Sequence, residues 1–408
     1  MDRPDYVVVG GGIAGAALAT VLARGGAHVV VLERQTRYRD HVRGEILWSW
    51  GARLARELGI EQTLLDAGAI VVRWVESYDE GESDPERDDA GAAFPEVEGS
   101  INIDHPTACA ALAEAAATAG ADVRFGVGHV QVEPGDLPSV RWTDGDGTQQ
   151  QTTARLVVGA DGRRSSVRTQ AAIPFEIDQP AHLVAGLLAE GIDGSAREVN
   201  LQARESDLLF FSFPQRAGRA RLYFCFPTAD RARFAGPDGA QRFLAASKLA
   251  CLSEIAGWDD ALPAGPCATF PGEDSRAPFP IADGVVLVGD AAGYENPLQG
   301  QGLSMTMQDV HDVSAALLAG SGLRESLEHY AEARAVRQRL ANISVALEVW
   351  ANDGYETQDP EERASRYEHV RRDEVLTALV ESYMLGPGSL PQDLTHADLA
   401  ERLSRRES

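Results

Sequence analysis

The first 33 residues constrain the fold more than any other segment, because they combine a strand pattern, a glycine turn, a helix pattern and a second strand pattern. Tyr6 to Val9 is a short β-branched run, and the sequence GGGIAG at 10–15 contains GxGxxG. Residues 13–23 are nearly all Ala, Leu, Val and Ile, as expected of a helix buried against a sheet, and His28 to Leu32 is a second apolar run. This order predicts a βαβ unit of an α/β fold, of the kind that binds a dinucleotide.

The glycines of this turn have distinct predicted roles. Gly10 permits the tight turn, Gly12 lets the backbone approach a pyrophosphate, and Gly15 allows close packing of the helix on the strand. The N–H groups at the helix N-terminus then face the phosphates. Glu33 ends the second strand, where a carboxylate can accept hydrogen bonds from a ribose diol.

Two further motifs also follow apolar strand patterns. Asp161 and Gly162 follow the run at 156–159, although an Asp-Gly pair alone is equally consistent with a simple turn. The sequence GDAAG at 289–293 follows the run at 285–288, and Pro297 and the sequence GQG at 300–302 come next. A carboxylate at a strand end can bind a ribityl hydroxyl, and a glycine-rich turn that opens a helix can place N–H groups against the electron-rich edge of a reduced flavin.

These three motifs, in this order and spacing, resemble the para-hydroxybenzoate hydroxylase-like (class A) family of FAD-dependent monooxygenases. The resemblance covers residues 5–45, 100–170 and 280–320. It implies an α/β fold with a Rossmann-like FAD-binding domain, a mixed or antiparallel sheet that forms the substrate domain, and C-terminal helices. The residues that it assigns to non-covalently bound FAD are Gly10, Gly12, Ile13, Ala14, Gly15, Glu33, Arg34, Arg43, Asp161, Gly162, Gly289, Asp290, Pro297, Gly300, Gln301 and Gly302.

Residues 34–43 contain four arginines in a chain whose formal net charge is −25. A solvated basic loop is one interpretation. The resemblance implies another, in which Arg43 contacts FAD and Arg34 and Arg39 attract the nicotinamide donor, NADH or NADPH.

The resemblance also implies an activity: NAD(P)H-driven hydroxylation or epoxidation, through a flavin hydroperoxide, of an aromatic or polyketide-like small molecule, with O2 as co-substrate. No catalytic residue is predicted, and the aromatic residues Trp48, Phe211, Phe213 and Phe224 are candidates for the substrate pocket. Gly293 stands where hydroxylases of this family usually carry histidine. A flavin reductase or dehydrogenase is therefore an alternative, followed by a FAD-binding shielding protein and by a halogenase, which the single lysine disfavours.

The predicted FAD-binding domain is discontinuous and comprises residues 1–75, 97–175 and 265–320. Residues 176–264 form the predicted substrate sheet, residues 321–408 form the helical region, and Asp79 to Asp89 is predicted to be an exposed loop or excursion. The negative charge argues against nucleic acid and anionic membranes as partners. The four cysteines are scattered, no apolar run reaches about 18 residues, and there is no room for a signal peptide. These features favour a cytoplasmic protein without a metal site. We expect a monomer or a homodimer.

Overall fold

The computed structural model describes residues 3–42, 44–80, 84–193, 198–252, 260–320, 322–352 and 359–405. Its helices are α1 (Ile13–Arg24), α2 (Ser49–Glu57), α3 (Glu61–Asp66), α4 (His105–Thr118), α5 (Ser166–Gln170), α6 (Gly239–Ala246), α7 (Gly302–Leu318), α8 (Leu323–Ala351), α9 (Pro360–Arg371), α10 (Glu374–Leu385) and α11 (His396–Ser404).

A six-stranded sheet carries the predicted dinucleotide-binding unit. Its strands are β1 (Tyr6–Val9), β2 (Val29–Glu33), β8 (Asp122–Phe125), β12 (Leu156–Gly159), β21 (Ile281–Ala282) and β22 (Val285–Leu287). They are arranged in the order β21-β22-β12-β1-β2-β8, and the pairs from β22 to β8 are parallel. The strand residues of β1, β12 and β22 are all buried because helices and a second core cover both faces. The predicted βαβ unit and the α/β fold class are confirmed.

The register of this sheet brings the three motifs together. Val9 pairs with Gly159 and with Leu32, and Gly159 pairs with Leu287. The carboxyl ends of four strands therefore lie at one level, where ligands bind in open α/β sheets.

An eight-stranded sheet forms the second layer. Its strands are β5 (Trp74–Asp79), β6 (Glu86–Asp89), β14 (His182–Glu190), β15 (Val199–Glu205), β16 (Leu208–Gln215), β17 (Arg219–Phe226), β18 (Leu262–Pro263) and β19 (Ala268–Gly272). The order is β18-β14-β17-β16-β15-β5-β6, and β19 also pairs with β14. The predicted antiparallel pair of aromatic strands is present as β16 and β17.

The acidic segment Asp79 to Asp89 is exposed at residues 84–88, as predicted, but it contains an edge strand instead of only a loop; residues 81–83 lie outside the described residues. β5 pairs in parallel with β15, and the acidic strand β6 pairs with β5 at the edge of the sheet. Backbone pairing holds β6 in place, so a strand with few apolar side chains forms there. β5, β6 and β19 join this sheet from outside residues 176–264, and the predicted domain boundaries remain a proposal.

Three small sheets connect the layers. They consist of β3 (Ile46–Leu47), β4 (Ile70–Val72) and β7 (Ser100–Asn102); β9 (Gln131–Glu133), β10 (Ser139–Thr143) and β11 (Gln149–Thr153); and β13 (Glu176–Ile177), β20 (Ser275–Arg276) and β23 (Gly293–Tyr294). Within the described residues, no helix combines the length and the apolar character needed to cross a membrane. The C-terminal helices α8 and α10 pack against each other around an apolar cluster.

Candidate FAD and substrate site

The glycine turn after β1 is shaped by close backbone contacts. Gly10 has φ +103°, and a Cβ added there would lie 2.3 Å from the carbonyl oxygen of Ala160. A Cβ on Gly15 would lie 2.0 Å from the carbonyl oxygen of Gly10, whereas one on Gly12 would meet nothing within 4 Å. Gly10 and Gly15 therefore allow the close packing, and the space beside Gly12 is open at the N-terminus of α1.

The N-terminus of α1 and the end of β2 face the same space. No side chain caps α1 at Gly12, so its first N–H groups remain available for an anion. The Glu33 carboxylate is almost fully buried, and it accepts hydrogen bonds from the N–H groups of Gly11 and Gln35, each at 2.7 Å. These bonds fix its orientation and leave further acceptor sites on the same oxygens.

The Asp161 carboxylate is committed to the start of α5. It accepts hydrogen bonds from the N–H groups of Ser166 and Val167 at 2.6 and 3.2 Å and from the Ser165 hydroxyl at 2.5 Å. Asp161 and Gly162 both face the cavity described below. The carboxylate thus positions a helix, and the predicted contact of Asp161 and Gly162 with the cofactor stays a prediction.

A buried ion pair holds the third motif. The Gly289 N–H donates to Asp309 Oδ2 at 3.0 Å, and Arg334 Nε donates to the same oxygen at 3.0 Å. Arg334 also donates to the Gly293 carbonyl at 3.2 Å. Asp309 and Arg334 are only 1% and 2% exposed, so α7 and α8 fix the strand-end turn on which Asp290 sits. Sequence reasoning missed both residues, since only their pairing across two helices distinguishes them from other charged residues.

A short helical turn at Pro297–Gln299 leads into α7. Gly300 follows with φ +63°, and α7 begins at Gly302 without a side-chain cap. The N–H of Asn296 donates to Asp274 Oδ1 at 2.8 Å, and Gln301 donates to Gln299 Oε1 at 2.7 Å. The chain from Asn296 to Gly302, called the flavin loop below, therefore ends in a second uncapped helix N-terminus.

Glu295, beside this loop, has a buried carboxyl group. Burial raises its pKa well above the usual range, the Asp274, Asp309 and Asp290 carboxylates add to the effect, and Arg334 opposes it. Protonation of Glu295 is therefore favoured by its surroundings, and this would limit the negative charge beside the loop.

One cavity of about 1970 Å³ joins all three motifs to the eight-stranded sheet. The predicted residues that line it are Gly10, Gly12, Ile13, Ala14, Glu33, Arg34, Trp48, Asp161, Gly162, Phe211, Phe213, Asp290, Pro297, Gly300 and Gly302. Gly15, Gly289, Gln301 and Arg39 lie outside its lining, behind or beside it. Arg43 lies outside the described residues.

Phe224 does not belong to the cavity, which corrects the sequence prediction. Side chains alternate along β17, so Tyr223 and Cys225 face the cavity whereas Phe224 faces the opposite core. There its ring lies 5.5 Å from that of Phe234 and 4.8 Å from that of Phe243. Both faces of β17 are covered, so its aromatic residues occupy both.

A buried charged cluster borders the cavity between β3 and β17. The Tyr223 hydroxyl donates to Glu45 Oε2 at 2.5 Å, Arg221 Nε lies 3.2 Å from Glu45 Oε1, and Arg221 also pairs with Asp40 at 2.7 Å. Burial raises the pKa of Glu45 to about 8, although the Arg221 guanidinium opposes this. A Cβ on Gly186 would lie 2.6 Å from the Tyr223 ring, so glycine makes the space for that ring.

One cavity thus joins three glycine- and aspartate-containing strand ends to an aromatic sheet face, an arrangement that fits a bound FAD, and the sequence relationship agrees. The FAD binding domain family matches residues 4–343, and the chain belongs to that family. Binding of FAD, predicted from the three motifs, is confirmed at this level, as is the resemblance that they indicated.

Curated relatives include the squalene monooxygenase of Mus musculus, 27% identical over 321 residues, or 75% of this chain and 53% of the relative. The rifampicin monooxygenase of Streptomyces venezuelae is 29% identical over 326 residues, or 77% of this chain and 64% of the relative. The chain therefore spans between half and two thirds of the length of these relatives.

Solved structures share the fold. The p-nitrophenol 4-monooxygenase PnpA of Pseudomonas putida aligns with a TM-score of 0.75 and 18% identity over 94% of this chain and 98% of that one. The flavin-dependent halogenase CmlS aligns with a TM-score of 0.77 and 17% identity over 99% of this chain and 77% of that one.

Proposed function

We propose that this protein is a FAD-dependent monooxygenase that takes electrons from NADH or NADPH and hydroxylates or epoxidises an aromatic or polyketide-like small molecule. The observation that carries the proposal is the single cavity shared by the cofactor motifs and the aromatic face of the eight-stranded sheet. Ligand pockets usually measure about 300–1,000 Å³. A volume of about 1970 Å³ therefore leaves room for FAD and a second molecule.

The residues present fit FAD at both ends of the cofactor. The uncapped N-terminus of α1 and the open space at Gly12 suit the pyrophosphate. The uncapped N-terminus of α7, after Gly300, suits the electron-rich edge of the isoalloxazine ring. When bound, FAD supplies the redox chemistry, accepting a hydride from the nicotinamide donor and activating O2 for transfer of one oxygen atom.

The protein's own contribution is orientation, charge and exclusion of water. Asp290 lines the cavity at the strand end and is the proposed partner of the ribityl chain. Phe211 and Phe213 stack with their ring centroids 6.1 Å apart and form an apolar wall. Such a wall favours a flat apolar substrate and keeps water from the reacting atoms.

Among the alternatives, the relatives favour oxygenation. The two relatives described above are named for monooxygenase reactions, and their identity to this chain exceeds that of the halogenase structure. Halogenases of the wider resemblance use a lysine in the active site. The single lysine of this chain, Lys248, is exposed and does not line the cavity.

The decisive experiment measures incorporation of isotopically labelled O2. FAD-loaded protein is incubated with NADH or NADPH and a panel of phenols and polycyclic polyketides, and the products are analysed by mass spectrometry. Label in an organic product supports a monooxygenase, whereas a dehydrogenated product without label supports the flavin dehydrogenase alternative.

Asp290→Ala tests the cofactor part of the proposal. We expect it to lower the flavin-to-protein ratio with the fold intact, since each charge-assisted hydrogen bond is worth about 1.5–3 kcal/mol. Asp283→Ala, two residues before the start of the strand β22 that leads into Asp290, is the matched control. Equal flavin content in the two variants would contradict the role of Asp290.

A further inference from the structure

On the cavity face of the eight-stranded sheet, each strand contributes one column of side chains. The register shows which residues of neighbouring columns lie side by side. Phe211 pairs with Tyr223 on one side and with Gln202 on the other, and Leu209 pairs with Cys225 and with Arg204 in the same way. The cavity-lining residues of these three strands are Tyr223 and Cys225 on β17, Leu209, Phe211 and Phe213 on β16, and Asn200, Leu201, Gln202 and Arg204 on β15. Leu201 packs into the opposite core, so Asn200, Gln202 and Arg204 form the cavity face of β15. An apolar column on β16 thus separates the β17 column from a polar column on β15.

The β17 side of this face is the side next to the cofactor motifs. Tyr223 is bonded to Glu45, directly before β3, and His182 on the neighbouring strand β14 hydrogen-bonds Asn296 of the flavin loop. Neighbouring strands lie about 4.8 Å apart, so two strand steps place Gln202 and Arg204 about 10 Å from Tyr223 and Cys225. The polar column on β15 therefore lies about 10 Å from the cofactor side, a distance that one small molecule can span.

The polar column is connected to the C-terminal helices. Arg204 forms an ion pair with Glu348 of α8 at 3.0 Å and lies over the ring of Tyr367 of α9 at 4.6 Å. The Tyr367 hydroxyl donates to Glu348 at 3.0 Å, and Gln202 Nε2 donates to the Ser77 hydroxyl at 2.6 Å. Among the bonds within the described residues, the Gln202 carboxamide oxygen takes part in none, so it can accept a bond from a ligand.

The ion pairs beside this polar column contain more carboxylates than guanidinium groups. Besides the Arg204–Glu348 pair, buried Arg363 contacts Asp79 at 2.9 Å and Glu80 at 2.8 Å. Two guanidinium groups therefore face three carboxylates. Both arginines are already paired with carboxylates. An anionic ligand group would therefore be repelled by these carboxylates.

We propose that Gln202 and Arg204 form a distal recognition site for an uncharged hydrogen-bonding group of the substrate: a hydroxyl, carbonyl or amide. The proposal rests on the function proposed above, and it narrows the substrate to an elongated molecule. Its reacting end lies on the cofactor side, its apolar middle lies on Leu209 and Phe211, and its polar end lies about 10 Å away on β15. Gln202 and Arg204 determine specificity and take no part in the chemistry.

The test uses phenols with a linear para-alkyl chain of increasing length, ending in hydroxyl, methyl or carboxylate. Binding to the oxidised FAD-loaded protein is followed by the change in flavin absorbance and in tryptophan fluorescence, without NAD(P)H. This measurement does not depend on turnover, so absence of oxygenation would contradict the proposed function without affecting the distal site.

We expect the hydroxyl-ended probes to bind more tightly than the methyl-ended probes only above a threshold chain length, and the carboxylate-ended probes to bind most weakly. Gln202→Leu should abolish the preference for hydroxyl over methyl, a loss of about fivefold for one hydrogen bond. Glu348→Gln, which leaves Arg204 uncompensated, should improve binding of the carboxylate-ended probe by about tenfold.

Gln149→Leu is the matched control, because Gln149 donates a similar bond to the Thr143 hydroxyl at 2.7 Å on a sheet away from the cavity. It should leave every affinity unchanged. Three results would overturn the proposal: equal binding of hydroxyl- and methyl-ended probes at all lengths, tighter binding of the carboxylate in the parent, or no saturable signal with any probe.

Discussion

Replacement of Glu45 by glutamine gives the sharpest test of the buried cluster beside the cavity. The Glu45 side chain has no exposed surface, accepts a hydrogen bond from Tyr223 at 2.5 Å and lies 3.2 Å from Arg221. Burial outweighs the attraction of Arg221 and raises the pKa of Glu45 from 4.5 to about 8. Between pH 4.5 and about pH 8, the Glu45 carboxyl group is therefore mainly protonated in the folded protein and mainly ionised in the unfolded chain.

The sign and size of the effect follow from this difference. Because the pKa is higher in the folded state, stability is fully present below pH 4.5 and is lost as the pH rises to about 8. Each pH unit in this window is worth about 1.4 kcal/mol, so the folded state loses up to about 5 kcal/mol. Glutamine has nearly the same shape and does not titrate, so Glu45→Gln removes this loss.

The assay is urea unfolding of the FAD-loaded parent and variant, followed by circular dichroism between about pH 5 and pH 9. The free energy of unfolding of Glu45→Gln, relative to the parent, should increase with pH by about 4 kcal/mol across this range. Glu133→Gln is the control, because Glu133 is exposed and ion-paired with the exposed Arg141, and its difference should stay within about 0.5 kcal/mol. A difference between Glu45→Gln and the parent that does not change with pH would refute the reasoning.

Four other substitutions test the cofactor side. Asp309→Ala leaves the buried guanidinium of Arg334 without its main partner, so we expect a loss of about 3–5 kcal/mol in thermal or urea unfolding together with a lower flavin content; normal stability would show that the ion pair is dispensable. Gly15→Ala places a Cβ 2.0 Å from a backbone oxygen, and it should abolish FAD retention on gel filtration; a yellow, stable variant would contradict the close packing. Arg34→Ala should raise the NAD(P)H concentration needed for flavin reduction more than Arg39→Ala, because Arg34 alone of the two lines the cavity. Stopped-flow measurement of flavin reduction at two ionic strengths checks this, since salt screens exposed charges. Equal behaviour of both variants and the parent would favour the alternative interpretation, in which residues 34–43 are a solvated basic loop.

The cofactor edge could be predicted from the sequence because its signals are local. A buried strand followed by a glycine turn or an Asp-Gly pair can be recognised within ten residues, and parallel pairing then brings the strand ends to one level. More than a hundred residues separate Val9 from Gly159, and Gly159 from Leu287. Their strands are nevertheless buried on both faces and pair in parallel, so the three residues lie side by side. Local pattern and sheet geometry together placed Gly10, Gly12 and Asp290 around one cavity.

The substrate side was harder to predict for two physical reasons. A strand covered on both faces carries aromatic residues on both, so the sequence around Tyr223 and Phe224 does not indicate which one lines the cavity. An edge strand such as β6 is held by backbone pairing to one neighbour, so its acidic sequence has none of the apolar alternation that predicts a strand. In both cases the deciding information lies in the layer packed against the strand.

The side chains that support the flavin loop come from both sides of residue 321, where the predicted FAD-binding domain ends and the predicted helical region begins. Asp309 of α7 accepts from the turn before Asp290, and its partner Arg334 lies on α8. On the same helix Tyr330 donates to the Leu287 carbonyl at 2.8 Å, and Gln338 donates to the Ser275 carbonyl at 2.9 Å. Buried polar groups of this kind require their partners, because an unpaired charge or carbonyl in the core costs more than the bond contributes. We infer that α8 and the cofactor-binding segments fold as one unit, and that the predicted helical region after residue 321 contains residues that hold the flavin loop in place.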